Sequence, residues 1–342
     1  LRAGGDPWER LERVCTAHLT ALLADSDYGQ VVIRVRPDAK RRVLLTGHMD
    51  TVFPDGTVAK RPYREEAGRA YGPGVADMKS GLVLNVFVAE AFARCGGLKA
   101  PLHLFFSCDE EIGSPATRDL IMARVRGARA VFNAEPGRVS GNVVTSRKGS
   151  MLVEFEVEGV AAHAGINHAA GASAIEALAR KTLALHALTD PATGVTANVG
   201  VVHGGVVSNM VAPHARAELD LRFTADTNPE DLLARVRAII EEESVPRTQG
   251  RITVARSTLP MKPTPDYLLA LYQESARTQG FEVQGEFTGG AADSGLTASV
   301  GVPTLCATGP VGGHPHTERE YCELTTFVPR AQAVALAVLA HP

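Results

Sequence analysis

The sequence predicts an α/β fold in which a sheet with helices on both faces is interrupted by an inserted α+β unit. Three observations carry this expectation. Short β-rich apolar runs alternate with helical patterns over most of the chain, the pattern changes between about residues 148 and 257, and it resumes after Pro260.

Taken in order, the apolar runs are RRVLLTG (41–47), PLHLFFS (101–107), ARAVFNA (128–134) and PTLCATG (303–309). Helical periodicity falls near 79–95, 114–125 and 266–279. In sheets of this kind ligands bind beyond the carboxyl ends of the strands, and His48, Glu110 and Glu135 each follow one of the runs.

The middle of the chain reads differently. In VEFEVEG (153–159), Val153, Phe155 and Val157 share one face and Glu154, Glu156 and Glu158 the other, as in a strand solvated on one side. A helix at 171–188, strands at 196–203 and 214–223, a helix at 229–244 and a strand at 250–256 complete the order βαββαβ, a ferredoxin-like unit. On the strand near 216–223, Ala217, Leu219, Leu221 and Phe223 are expected to face inward, which leaves Glu218, Asp220 and Arg222 on the polar face.

With 342 residues the chain has room for two domains. Apolar residues make up 45% and charged residues 21%, with a net charge of -3, which excludes a disordered or polyanion-binding protein and hence a nucleic-acid partner. The longest apolar stretches, such as GLVLNVFVAEAFA (81–93), are too short and amphipathic to span a bilayer, so no membrane partner is expected. The expected location is the cytoplasm, or the periplasm if a leader preceded Leu1. Cys15, Cys95, Cys108, Cys306 and Cys322 are scattered and form no CxxC pair, so they read as buried thiols rather than a disulfide framework or a thiolate zinc site.

The chemistry lies in a constellation. LLTGHMDTVFP (44–54) places His48 and Asp50 at a strand end, and YGPGVADMKSG (71–81) places Asp77 ahead of a helix. CDEEIGS (108–114) supplies Glu110 and Glu111, NAEPG (133–137) supplies Glu135, and GGHPHTERE (312–320) adds two imidazoles. Taken singly, a histidine after a strand is more often a hydrogen-bonded capping group than a ligand. Carboxylates crowded into one crevice, however, raise one another's pKa unless a cation neutralises them. Imidazoles and carboxylates without a thiolate suit Zn²⁺ or a similar first-row divalent ion better than Ca²⁺.

These motifs, together with RKGSMLVEFEVEGVAAHAG and GGVVSNMVAP, resemble those of the zinc aminoacylase and carboxypeptidase family. That family includes glutamate carboxypeptidase of the carboxypeptidase G type, acetylornithine deacetylase and succinyl-diaminopimelate desuccinylase. The likeness runs in order from about Arg42 to the C-terminus and is closest to the carboxypeptidase G branch. It implies a mixed, zinc exopeptidase-like sheet in a catalytic metal-binding domain (1–147 and 258–342) and a ferredoxin-like lid and dimerisation domain (148–257).

Residue by residue, the resemblance implies two Zn²⁺, with Co²⁺ or Mn²⁺ as substitutes. Asp77 bridges them, His48 and Glu135 complete one, and Glu111 and His316 complete the other. Asp50 orients the His48 ring. Glu110 stays off the metals as general base, and an extended chain at 110–111 would point the two glutamates opposite ways. His314 is the alternative to His316. The resemblance makes His163 an oxyanion-stabilising group acting on the partner subunit of a homodimer, Asn209 and Arg222 binders of the substrate α-carboxylate, and Gly290 part of a Gly-rich loop lining the substrate pocket.

The implied activity is cleavage of an amide or peptide bond in a small peptide or N-acyl amino acid, most like a glutamate carboxypeptidase. An N-acyl amino acid deacylase or dipeptidase is the alternative. A non-catalytic homologue that binds metal or peptide would lack Glu110 or Asp77, and a phosphoesterase would carry more basic residues near the motifs. Leu259 and Lys262 leave glutamate selectivity open, since pocket shape decides it.

Overall fold

The computed structural model describes residues 31–35, 42–94 and 102–341, in two compact units. The first half of one unit contains β1 (Val31–Val35), β2 (Val43–His48), α1 (Ser80–Arg94), β3 (Leu102–Ser107) and β4 (Ala130–Asn133). The chain then builds the other unit from β5 (Gly149–Glu158), α2 (Ala174–His186), β6 (Thr196–Gly204), β7 (His214–Phe223), α3 (Pro229–Glu241) and β8 (Gln249–Thr258). It returns to the first unit with α4 (Asp266–Thr278), β9 (Thr304–Leu305) and α5 (Phe327–Ala340).

The sheet of the first unit has the order β1-β3-β2-β4-β9. Its last four strands run parallel and β1 runs antiparallel, so the sheet is mixed. Every residue of β2 is buried, as befits a strand covered on both faces. Val43 and Leu45 pack with Leu84 and Phe92 of α1, Leu104 of β3 and Val334 of α5.

Only Thr304 and Leu305 of the predicted run 303–309 form a strand. The chain turns away at once, because Cys306 bridges Val144 and Ala307 takes a left-handed φ of 59°. Cys306 and Cys322 are buried thiols, whereas Cys108 is partly exposed where the chain leaves β3; Cys15 and Cys95 lie outside the described residues.

The second unit is an antiparallel sheet, β6-β7-β5-β8, backed by α2 and α3. Val153, Phe155 and Val157 of β5 and Leu219, Leu221 and Phe223 of β7 are at most 1% exposed, and they pack on Leu178, Leu232, Val236 and Ile240. Both helices start where their caps dictate. The Ser173 hydroxyl accepts from Glu176 N, and the Asn228 side chain accepts from Glu230 N just before Pro229. This unit spans 147–260 and also takes in 289–291, because Arg147 Nη1 donates to the carbonyls of Gly290 (3.1 Å) and Ala291 (3.3 Å).

Gly81, in the first turn of α1, lets that helix lie against the backbone that carries Glu135; a Cβ there would collide with the Ala134 carbonyl. Gly81→Ala is therefore expected to lower stability by about 1–3 kcal/mol through overpacking. Urea denaturation would show this as a lower midpoint at unchanged slope, and an unchanged midpoint would show that α1 can shift freely.

Candidate metal centre

Parallel register brings the strand ends level, with His48 opposite Ser107 and Thr46 opposite Asn133. Chain leaving these ends therefore delivers Asp50, Glu110, Glu111 and Glu135 to one edge of the sheet. Asp77 joins them from the turn Val75–Lys79 that leads into α1. His316 arrives from the exposed loop 314–319.

The two oxygens of the Asp77 carboxylate face different imidazoles. Oδ1 lies 3.1 Å from His48 Nε2 and Oδ2 lies 3.3 Å from His316 Nε2. Each imidazole has a further carboxylate of its own, with Glu135 Oε1 at 3.8 Å from His48 Nε2 and Glu111 Oε2 at 3.3 Å from His316 Nε2. One ligand atom each of His48, Asp77 and Glu111 lies within 4.8 Å of the others.

These separations suit a metal. Donors bound at about 2.0–2.1 Å in tetrahedral geometry sit about 3.3 Å from one another. Glu111 Oε1 adds a second sign: it is buried and has no hydrogen-bond partner, a costly state for an anionic oxygen unless something else binds it. The donor set of imidazoles and carboxylates fits a divalent first-row ion.

Asp50 does two jobs. His48 Nδ1 lies 3.1 Å from its backbone carbonyl and 3.4 Å from its carboxylate Oδ1, so both groups hold the ring. The carboxylate also accepts from Glu110 N (3.3 Å) and Glu111 N (3.0 Å), tying the two glutamates to the ligand strand. The expected extended chain at that pair is corrected here: Glu110–Ile112 form a single 3₁₀ turn. Successive side chains still diverge, by about 120° at three residues per turn. Glu110 Oε2 accordingly points toward His48 Nε2 at 3.9 Å, while Glu111 faces His316. Of the two late imidazoles, His316 is the one turned to Asp77; the His314 ring packs edge-on against Tyr321, with centroids 6.0 Å apart.

For the chain by itself, protons supply the positive charge that the carboxylates require. Hydrogen bonds to Asp77 and Glu111 raise His316 to about 10. Burial disfavours the His48 imidazolium, but bonds to Asp50 and Asp77 reverse this and leave it well above its ordinary value. Burial likewise pushes Asp77 up, and its two imidazole partners carry it below the usual carboxylate range. Burial raises Glu110 well above that range, with Glu135, Asp293 and Asp77 adding to the shift and His48 opposing it.

Three buried carboxylates among the described residues escaped the sequence reading: Asp109 and Glu320, within the quoted stretches 108–114 and 312–320, and Asp293, beside the Gly-rich loop. Asp109 accepts from Ala116 N (2.7 Å), Thr117 N (3.1 Å) and the Thr117 hydroxyl. Glu320, 0% exposed, accepts from Gly74 N (2.9 Å), Ala76 N (2.9 Å) and Asp77 N (3.0 Å). Asp293 accepts from the hydroxyls of Ser107 (2.7 Å) and Ser114, which bracket the Glu110 segment. An acidic residue among small residues in a turn is the available signal, since such positions collect backbone and hydroxyl donors.

In the second unit, the exposed His163 pairs with Met210 in a two-residue ladder, and Ala164 N donates to the Asn209 carbonyl at 2.9 Å, so His163 and Asn209 are neighbours. Gly165 N and Ile166 N both donate to His163 Nδ1 at 3.2 Å, which places the proton of a neutral ring on Nε2. Arg222 lies elsewhere, on β7, where Nε and Nη2 each bond the Asp220 carboxylate at 2.9 Å. Gly290 sits in the Gly-rich loop as an acceptor for Arg147.

The model of peptidase family M20/M25/M40 matches residues 44–340. Carboxypeptidase G2 of a Pseudomonas species is 27% identical over 318 residues, covering 90% of this chain and 76% of that protein. Succinyl-diaminopimelate desuccinylase of Burkholderia lata is 30% identical over 303 residues, covering 82% and 78%. Among solved structures, an M20 family metallo-carboxypeptidase from Sulfolobus solfataricus superposes with a TM-score of 0.75 at 18% identity, over 92% of this chain and 88% of that one. No helix among the described residues is long and apolar enough to cross a membrane.

The shifted groups make metal-free protein sensitive to alkali. A histidine raised from 6.5 to about 10 contributes stability that is complete below about pH 6.5 and lost as pH rises through 10. Glu110, raised above its ordinary value, acts in the same sense. The thermal midpoint of chelator-treated protein is expected to fall between pH 6.5 and 10 and that of Zn²⁺-loaded protein to fall much less. Calorimetry across that window checks it, and a metal-free midpoint that rises would contradict the assignment.

Proposed function

The chain belongs to peptidase family M20/M25/M40, and from that premise we propose a dinuclear zinc-dependent hydrolase that releases a free amino acid, most like a glutamate carboxypeptidase. The protein is a hydrolytic enzyme of a metallopeptidase and aminoacylase family. One observation carries the dinuclear reading: the two Asp77 oxygens face separate imidazoles, each with a glutamate beside it.

His48, Glu135 and Asp77 would hold one ion, and His316, Glu111 and Asp77 the other. Bound Zn²⁺ would supply Lewis acidity, activating water as nucleophile and polarising the scissile carbonyl. Glu110, which the family pattern leaves off both ions and which sits 3.9 Å from His48 Nε2, would take the proton of the attacking water and pass it to the leaving amine. Asp50 keeps the His48 ring and the Glu110 backbone in place. The Nε2–H of His163 donates to the developing oxyanion, on the partner subunit as the family resemblance implies. As the resemblance implies, Asn209 and Arg222 would receive the substrate α-carboxylate, Arg222 by exchanging Asp220 for it, and the backbone at Gly290 would line the pocket.

Homodimerisation has support in the edge strand β6, where Val201 (36%) and Val202 (54%) are exposed beside open backbone groups. The likeness to a desuccinylase favours an N-acyl amino acid deacylase as the second reading. Hydrolysis of a panel of N-acyl amino acids and dipeptides decides between them. The proposal expects the highest kcat/KM for a C-terminal glutamate. A preference for succinylated or acetylated diamino acids would give the second reading, and no hydrolysis across the panel would overturn both.

Glu110→Gln preserves shape but cannot accept the proton. It is expected to retain Zn²⁺ while kcat falls about 10²- to 10⁴-fold. Metal analysis alongside steady-state kinetics checks this, and near-normal turnover in the variant would remove Glu110 from its role.

A further inference from the structure

We infer that Glu320 is a positioning residue: it sets His316 against Asp77 and thereby decides whether the ion shared by Asp77, Glu111 and His316 is held. The inference rests on the dinuclear reading above.

The ligands of the two proposed ions are supported unequally. His48 is 2% exposed at the end of a buried strand, with Asp50 on its far nitrogen. Glu135 is 6% exposed, its backbone N–H bonded to the Asn133 side chain at 3.1 Å. His316, by contrast, is 52% exposed in its side chain and lies midway along the exposed loop 314–319. Its backbone sits in the left-handed region (φ 63°), as does that of His314 (φ 54°). A non-glycine residue stays in that region only where its surroundings fix it.

Glu320 is the buried foot of this loop. Its Oε1 accepts from Ala76 N and Asp77 N, and its Oε2 accepts from Gly74 N. One carboxylate thus clips the turn that bears Asp77 to the loop that bears His316, joining segments 243 to 246 residues apart in the chain. All three donors are backbone groups of a turn that runs on into α1 and is closed by its own bond from Lys79 N to the Gly74 carbonyl (2.9 Å), so what the clip chiefly anchors is the exposed loop that bears His316. The neighbouring hairpin, Gly312 with Cys322 and Gly313 with Tyr321, continues into a ladder from Tyr321 to Tyr71 and does not depend on Glu320. Loss of the clip therefore loosens the loop without dismantling the sheet beneath it.

Glutamine at 320 keeps the volume but replaces one acceptor oxygen with a donor. At least one backbone N–H then faces an N–H, which is repulsive and leaves a buried donor unsatisfied. Aspartate keeps both acceptors on a stem one methylene shorter.

The test titrates metal-free wild type, Glu320→Gln, Glu320→Asp and His316→Ala with Zn²⁺ by calorimetry, with circular dichroism to verify folding. Wild type is expected to bind two ions. Glu320→Gln should keep one near wild-type affinity and weaken the other about 10- to 100-fold, the usual effect of removing a group that orients a ligand. His316→Ala should weaken the same ion, and combining the two changes should add little. Glu320→Asp should fall between wild type and Gln, and it carries the same test if the Gln variant does not fold. Two ions at wild-type affinity in Glu320→Gln, or equal weakening of both, would overturn the inference. A wild type that binds fewer than two ions would instead overturn the dinuclear reading.

Discussion

The structure turns on the crowding of negative charge at the carboxyl ends of three parallel strands. Asp77, Glu110, Glu111 and Glu135 gather around two imidazoles, all within a few ångström and mostly out of water. Such a cluster raises its own energy unless positive charge enters it. The chain alone moves toward that requirement, since its carboxylate neighbours favour the protonated form of both His48 and His316. A divalent cation meets it better, because it supplies more charge at a shorter distance.

Holding such groups together against repulsion needs rigid supports, and the surrounding chain provides them in layers. Strand register sets the common level. Asp50 then ties His48 to the glutamate turn, Asp293 ties the two ends of that turn through Ser107 and Ser114, and Glu320 ties the Asp77 turn to the His316 loop. Each of these supports is itself a carboxylate. Hydrogen bonds from N–H and O–H groups stabilise the three of them without adding cations that would compete for the ligands.

The fold was legible wherever periodicity coincided with burial. Strict alternation in β5 placed Val153, Phe155 and Val157 in the core, and the inward set of β7 followed the same rule. The run 303–309 misled because apolar character reports burial, which Leu305, Cys306 and Ala307 share, and not extension, which Ala307 abandons with a positive φ. At the site, histidines and acids that followed strands stood out against apolar runs. Glu320 and Asp293 did not, because what marks them is the set of donors they collect from distant segments. Arg222 shows a further limit: its place on the polar face was readable, but the occupation of its Nε and Nη2 by Asp220 is a choice of rotamer that no spacing encodes.

The same protons that hold the cluster together also oppose its loading. A metal-bound imidazole must give up its proton at the bound nitrogen, so an ion would compete with protons at His316, raised to about 10, and at His48, raised above its ordinary value. Metal affinity would therefore rise with pH, and binding would release protons to the buffer. An ion would also reach the unpartnered Glu111 Oε1 and both Asp77 oxygens, where the imidazoles reach only part of the set. Exposure separates the two halves: water reaches the His316 ring easily and the His48 ring hardly at all. On the proposed reading an ion at that side would be the more exposed of the two, and the Glu320 clip lies at the base of the loop that would hold it.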